Sequence, residues 1–201
     1  MAERFCMKAT TCIACSIFRR EIEALQAVSP MDVSVRYLNS MLHMVPDQLE
    51  AMLSALILEE QAQGHAVVLG FGDCCARMLE LQQAEGVHRT EGINCCEIML
   101  GKATYRQLRR DGAFFFLPEW AKRWQEIFEQ ELGLTTENAQ GLMQDMHTRL
   151  IYLDTGLVPV PETEMRAASA FTGLPWEVLV IDLETLRANL ARALSFGGNH
   201  G

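Results

Sequence analysis

Short apolar runs that alternate with segments of helical periodicity constrain the fold of this chain most strongly. Runs with the length and the β-branched or aromatic content of buried strands cover residues 11–17, 33–39, 65–70, 87–90, 112–117, 150–153 and 178–181. Between them, apolar residues recur at helical spacing, as in residues 47–63 and 120–132. The alternation predicts an α/β fold of Rossmann-like βα units, with a mostly parallel sheet, or sheets, of about six to seven strands flanked by helices.

The size of the chain fits one such fold. It has 201 residues, of which 49% are hydrophobic and 21% are charged, and this is enough apolar material for a buried core. We therefore predict a single α/β domain over residues 1–201, with two small lobes, 1–110 and 111–201, as the alternative division.

The charge balance narrows the classes of partner. The formal net charge is −9 and no block of Lys or Arg stands out, so we expect no nucleic acid and no membrane surface as a partner. A small molecule or a protein is the better prediction. The N-terminal residues lack the apolar segment of a signal peptide, and no apolar run reaches the ~18 residues that cross a bilayer, so we expect a cytoplasmic protein.

The chain contains seven cysteines, which in a reducing compartment are thiols, metal ligands or redox groups rather than a disulfide framework. Three stand at predicted strand ends or helix starts: Cys15 closes the first strand, Cys74 follows the third, and Cys95 precedes a helix. Loops at the carboxyl ends of parallel strands converge on one edge of the sheet, so these residues are expected to meet. A thiol at a helix start is also expected to have a lowered pKa.

Three such sulfur atoms predict a thiolate-rich site for a soft metal. They could hold a 4Fe–4S cluster with one open iron position, or with His43 they could make a closed zinc site, and their spacing does not decide between these. Near the open position, His43 and Asp154 are the predicted catalytic residues. The residues predicted to contact the cofactor lie in the turn before Cys74 and in the turn after Asp154: Gly70, Gly72, Asp73 and Gly156.

The other four cysteines are Cys6, Cys12, Cys75 and Cys96. A buried cysteine usually behaves as a small hydrophobic residue, and this is the simplest interpretation of these four. Cys12 and Cys15 have the spacing of a metal-ligand pair, but Cys12 is expected to point into the core.

Several short motifs follow one another in order along the chain. They are Ala14-Cys15-Ser16-Ile17, Leu42-His43-Met44, the run from Gly70 to Cys74, Asn94-Cys95 and Asp154-Thr155-Gly156. By this set, from about residue 11 to about residue 195, the chain resembles the family catalogued as domain of unknown function 1638. The family pattern carries Cys onto positions 15, 74 and 95. Genes of the family often lie beside genes for corrinoid-dependent methyltransferases, so the resemblance implies a role in corrinoid or methyl-group metabolism, with a corrinoid or methyltransferase protein as partner.

Three functions are compatible with these residues. The first is a metal or iron–sulfur protein with Cys15, Cys74 and Cys95 as ligands. The second is a metal-free, cysteine-dependent methyl-transfer enzyme in which His43 is the base. The third is a metal-free accessory module of a corrinoid methyltransferase system, in which the cysteines only pack. The sequence favours the first.

Overall fold

The computed structural model describes residues 9–197. The strands are β1 Thr10–Cys15, β2 Ser34–Leu38, β3 Ala66–Gly70, β4 Val87–Arg89, β5 Ala113–Phe116, β6 Arg149–Asp154 and β7 Trp176–Val180. The helices are α1 Arg19–Val28, α2 Pro46–Ala62, α3 Met78–Leu81, α4 Cys95–Leu100, α5 Lys102–Arg110, α6 Pro118–Lys122, α7 Ala139–Met146, α8 Glu162–Thr172 and α9 Glu184–Gly197. Short 3-10 helices cover Ser16–Phe18 and Ser40–Met44, and a π-helix covers Glu126–Glu131. No helix among the described residues is both long and apolar enough to cross a membrane.

The chain divides into two compact units. One contains the residues up to Met99 together with those from Glu184 onward, and the other contains Leu100–Leu183. Each unit has its own sheet.

The first unit is built on a four-stranded parallel sheet in the order β2-β1-β3-β4. Residues 12–14 of β1 and 67–69 of β3 are at most 1% exposed, as expected for central strands of a sheet that is covered on both faces. Helix α9 returns to this unit and packs on β3 and β4. Its Asn189 and Arg192 hydrogen-bond Glu91, just before the loop that leads to Cys95.

The second unit is built on a three-stranded parallel sheet in the order β5-β6-β7. Its core contains Tyr152 of β6 and Phe116 of β5, which pack with Phe128 of the π-helix and Met165 of α8. Strand β6 is central, and its residues 150–153 are fully buried.

The α/β class with parallel sheets flanked by helices is confirmed, but the predicted sheet of six to seven strands is wrong. Within residues 9–197 the strands form one sheet of four and one of three. Apolar runs identify strands but carry no information about which strands pair, and β4 and β5 are separated by two helices, α4 and α5, without pairing to each other.

Candidate thiol site

Cys15 is the last residue of β1 and lies at the carboxyl edge of the first sheet. Its predecessor, Ala14, pairs with Gly70, the last residue of β3. A Cβ atom on Gly70 would lie 3.0 Å from the Cβ of Ala14, so glycine allows the two strands to end in close contact. The loop after β3, which carries Cys74, therefore starts directly beside Cys15.

The loops that carry Cys74 and Cys95 are pressed together at Gly72. A Cβ atom on Gly72 would lie 2.4 Å from the Asn94 Cα, a distance that side chains do not tolerate. The next amide, Asp73 N–H, donates to the Ile93 carbonyl at 2.8 Å. Because Gly72 has no side chain, backbone can approach backbone, and the residues that follow Gly72 and Asn94 become neighbours.

Asn94 positions Cys95 at the first turn of α4. The Asn94 Oδ1 accepts a hydrogen bond from the Glu97 amide at 2.9 Å, and its carbonyl accepts one from the Ile98 amide at 3.0 Å. This is the geometry of an N-cap. An asparagine just before an apolar helix is a signal that sequence reasoning can use, and it explains why the helix starts at Cys95 and not earlier.

The three predicted ligand residues are brought together. The Cys95 thiol shares a hydrogen bond with the Cys15 side chain and interacts electrostatically with Cys74 and Cys96. Cys74 in turn interacts with Cys15. Cys15 and Cys95 are each 5% exposed, whereas Cys74 is partly exposed. The three residues thus form one cluster, which we call the thiol site, with Cys74 on its accessible side.

The expected lowering of the thiol pKa values is wrong for two of these residues. The hydrogen bond with Cys15, followed by burial and the proximity of Cys15 and Cys74, raises the pKa of Cys95 well above its usual value. Burial, with a smaller contribution from Cys15, raises the pKa of Cys74 to about 11. For Cys95 the hydrogen bond, and for both residues the loss of hydration and the mutual repulsion of thiolates, outweigh any stabilisation of the charged form at the loop or helix start.

The thiol site is not a preformed coordination shell. Among residues 9–197, no group of three or more His, Cys, Asp or Glu side chains stands at the spacing of a metal site. The donor atoms fit a thiophilic metal by their chemistry, because clustered sulfurs favour zinc, copper(I) and iron–sulfur clusters.

His43 lies in the 3-10 helix after β2, at the same edge of the first sheet. The Ser40 amide, at the start of that helix, donates to the Ser16 Oγ at 2.9 Å, so the helix is fastened to the residue that follows Cys15. The His43 Nδ1 is 2.6 Å from the Ser40 carbonyl oxygen. Since a carbonyl only accepts, Nδ1 carries a proton, and Nε2 bears the lone pair in the neutral ring.

Asp154 and Gly156 belong to the second unit, whereas the other predicted site residues belong to the first. Asp154 ends β6, and its Oδ1 accepts a hydrogen bond from the Gly156 amide at 2.8 Å. Its carbonyl accepts one from the Ile181 amide at 2.8 Å. These two bonds give Asp154 a role in the turn that follows the strand.

Of the remaining cysteines, Cys12 lies inside β1 and is 1% exposed, and burial raises its pKa to about 12. Cys75 and Cys96 are buried directly after Cys74 and Cys95. Cys6 lies outside the described residues.

Sequence reasoning missed two charged residues near the thiol site. Arg89 ends β4, and its Nη1 donates to Asp73 Oδ1 at 2.6 Å. Glu97 is 5% exposed, two residues after Cys95, and its Oε2 has no hydrogen-bond partner within residues 9–197. Neither belongs to a recognisable motif, since an isolated charge at a strand or helix end is common on protein surfaces.

The first unit is thus a parallel α/β sheet with a cluster of thiols at the carboxyl edge of its strands. Residues 37–190 match the profile of the family described as "Protein of unknown function (DUF1638)", and the chain belongs to this family. The resemblance predicted from the motifs is therefore confirmed. The matched residues include Cys74 and Cys95, whereas Cys15 precedes them. No curated protein and no solved structure matches the chain.

Proposed function

We propose that this protein binds a thiophilic metal, an iron–sulfur cluster or zinc, through Cys15, Cys74 and Cys95. The observation that carries the proposal is the meeting of three loops at one sheet edge, where β1 ends beside β3 and Gly72 lies against Asn94. Cys15, Cys74 and Cys95 stand on these loops and interact electrostatically with one another. Cysteines that are buried only as small hydrophobic residues would be scattered through the core. Cys12, which is buried inside β1, is an example.

The electrostatics of the cluster support a cation. The pKa values of Cys74 and Cys95 are raised, so in the absence of a positive charge these groups are held as neutral thiols. A metal ion supplies the charge that lets neighbouring sulfurs ionise together. A metal-free nucleophile instead needs a thiolate near neutral pH, and the pKa values of these two cysteines disfavour that second hypothesis.

Three sulfur ligands leave one coordination position of a tetrahedral metal for a substrate or a further ligand. His43, at the same sheet edge, is our candidate for a base or a fourth ligand, because its Nε2 bears the lone pair. The loop that carries Cys74 is positioned by the close backbone contacts at Gly70 and Gly72 and by the hydrogen bond of the Asp73 amide. In this proposal the bound group acts as a Lewis acid or as an electron carrier, and the site works in a reducing compartment such as the cytoplasm.

Purification without oxygen, followed by analysis of iron, acid-labile sulfide and zinc, tests the proposal. We expect either iron with sulfide and broad visible absorption, or stoichiometric zinc in a colourless protein. The Cys74→Ser variant should lose most of this content, and Cys75→Ser, which changes the adjacent residue, should retain it. A protein that stays metal-free after reconstitution with iron and sulfide, and separately with zinc, would contradict the proposal.

The metabolic setting is a separate proposal that rests on the family. We propose a corrinoid or methyltransferase protein as the partner, and this is tested by co-purification with a defined corrinoid protein. The same co-purification is carried out with the double variant Cys15→Ser and Cys74→Ser, which should no longer bind metal. If the double variant binds the partner as the parent does, the contact lies outside the thiol site.

A further inference from the structure

Arg89, the last residue of β4, is a largely buried arginine beside the thiol site. Its side chain is 12% exposed, and its Nη1 donates to Asp73 Oδ1 at 2.6 Å. Asp73 directly precedes Cys74, so the guanidinium group is fastened to the loop that carries one of the three thiols. Its charge also acts electrostatically on Cys75.

The hydrogen-bonding capacity of Arg89 is only partly used. A guanidinium presents its N–H donors in a planar fork, with Nε and one Nη on the same edge. Within residues 9–197, Nη1 is bound to Asp73, whereas Nε and Nη2 have no hydrogen-bond partner. Neither nitrogen is among the fully buried polar atoms that lack a partner within the described residues. The Nε–Nη2 edge is therefore available to a further hydrogen-bond acceptor, beside the loop that carries Cys74.

We propose that Arg89 binds an oxyanion group, a carboxylate or a phosphate, of the molecule that the thiol site receives. Nε and Nη2 would each donate to one oxygen of the anion, while Nη1 stays on Asp73. Arginine suits this role because its fork matches two oxygens and because it is more weakly hydrated than lysine. The inference rests on the proposed function, since it takes the thiol site to be where a ligand binds.

The competing interpretation is that Arg89 only fastens the loop of Asp73 to β4. That role uses Nη1 alone and would not produce saturable binding of an anion. Asp73 is 44% exposed, so its pairing with Arg89 is partly screened by water. The two roles differ in what an added oxyanion does, and this difference can be measured.

The test is a titration of the full-length, reduced protein with sodium phosphate, acetate or malonate at constant ionic strength, with chloride as the reference anion. Binding is followed by calorimetry and by the NMR signal of the Arg89 side chain. We expect saturable binding of phosphate or of a carboxylate but not of chloride, and the stronger of the two identifies the natural group. Equal responses to all anions would mean general screening and would overturn the proposal.

The decisive variant is Arg89→Gln, with Arg77→Gln as the matched control. Arg77 is 59% exposed and pairs with Glu80 and Glu50, so its removal should leave anion affinity unchanged. Arg89→Gln should weaken binding by about tenfold or more, because the charge-assisted hydrogen bonds are lost. If Arg89→Gln does not fold, Arg89→Lys retains the charge without the fork and should still bind more weakly than the parent. Unchanged affinity in the folded variant would overturn the proposal.

Each titration is carried out on metal-reconstituted and on metal-free protein, so that this inference and the proposed function can fail separately. If no metal binds, the proposed function fails, and the metal-free titration still decides the role of Arg89. If metal binds but phosphate and the carboxylates do not, the proposed function stands and the anion site is refuted.

Discussion

Gly72 sets how closely the loops of Cys74 and Cys95 approach each other. In the Gly72→Ala variant the new Cβ would lie 2.4 Å from the Asn94 Cα, so backbone must move in one loop or both. We expect a loss of about 1–3 kcal/mol in the free energy of unfolding, measured in urea, together with weaker metal binding.

Gly141→Ala is the control for this prediction. Gly141 lies within α7, and an added Cβ there meets nothing within 4 Å. Alanine should stabilise this position by up to about 1 kcal/mol, because it restricts the unfolded chain and favours the helix. If Gly72→Ala is as stable as the parent, the loops of Cys74 and Cys95 are not in close contact at Gly72.

Glu60 is a buried carboxylate in the first unit, held by three hydrogen bonds. The Thr11 hydroxyl donates to its Oε2 at 2.7 Å, Arg36 Nη1 donates to its Oε1 at 2.8 Å, and His65 Nδ1 lies 2.8 Å from Oε2. Burial by itself raises the pKa of Glu60, but the bonds to His65, Thr11 and Arg36 outweigh it and lower the pKa to about 2.

This lowered pKa predicts a loss of stability in acid. The carboxylate is favoured in the folded state, so its contribution is complete above the usual pKa of 4.5 and is lost as pH falls towards about 2. We expect Glu60 to account for a loss of roughly 2–3 kcal/mol across this interval, measured by urea unfolding at each pH.

Glu60→Gln should be less stable than the parent at neutral pH, and its stability should fall less between these pH values. Glu59→Gln is the control, because Glu59 also pairs with Arg36 but is 52% exposed, and such pairs contribute little. Parallel pH profiles for the parent and Glu60→Gln would contradict the assignment.

At the scale of elements, the helix predicted over residues 120–132 is divided into α6 and the π-helix Glu126–Glu131. The wider turn is visible in the bond from the Leu132 amide to the Ile127 carbonyl, at 2.9 Å and five residues apart. Phe128 is fully buried and Leu132 is 49% exposed, although residues four apart in a regular α-helix lie on the same face.

This geometry predicts unequal effects of two truncations. Phe128→Ala should destabilise the protein by about 3–5 kcal/mol, because the ring packs against Phe114, Phe116, Trp124 and Phe171. Leu132→Ala should cost less than about 1 kcal/mol. Chemical denaturation of both variants measures the difference, and equal losses would indicate a regular α-helix.

The elements also explain how much of the site the sequence could predict. The sequence places Cys15 and Cys74 at strand ends and Cys95 at a helix start, and this needs only the order of strands, loops and helices. The pKa directions of Cys74 and Cys95 were missed because they depend on burial and on sulfur neighbours that arise only in three dimensions. Arg89 was missed because its contact with Asp73 joins the end of β4 to the loop after β3, and their proximity follows from the pairing of β3 with β4.

At the scale of the whole molecule, Leu100–Leu183 forms a continuous unit with its own sheet and core. We expect a fragment of residues 100–183 to unfold cooperatively in urea, because its strands and covering helices are consecutive in the chain. The same fragment carrying Phe128→Ala should lose this transition. A fragment with no cooperative transition would mean that the core depends on residues outside it.

The claim that Cys15, Cys74 and Cys95 bind one metal is tested most directly by X-ray absorption spectroscopy of the zinc-reconstituted protein. We predict about three sulfur neighbours at roughly 2.3 Å from zinc. The number should fall by about one in Cys95→Ser and stay the same in Cys96→Ser, whose buried side chain is adjacent in the chain. A zinc shell without sulfur, or a sulfur count that Cys95→Ser leaves unchanged, would contradict the account.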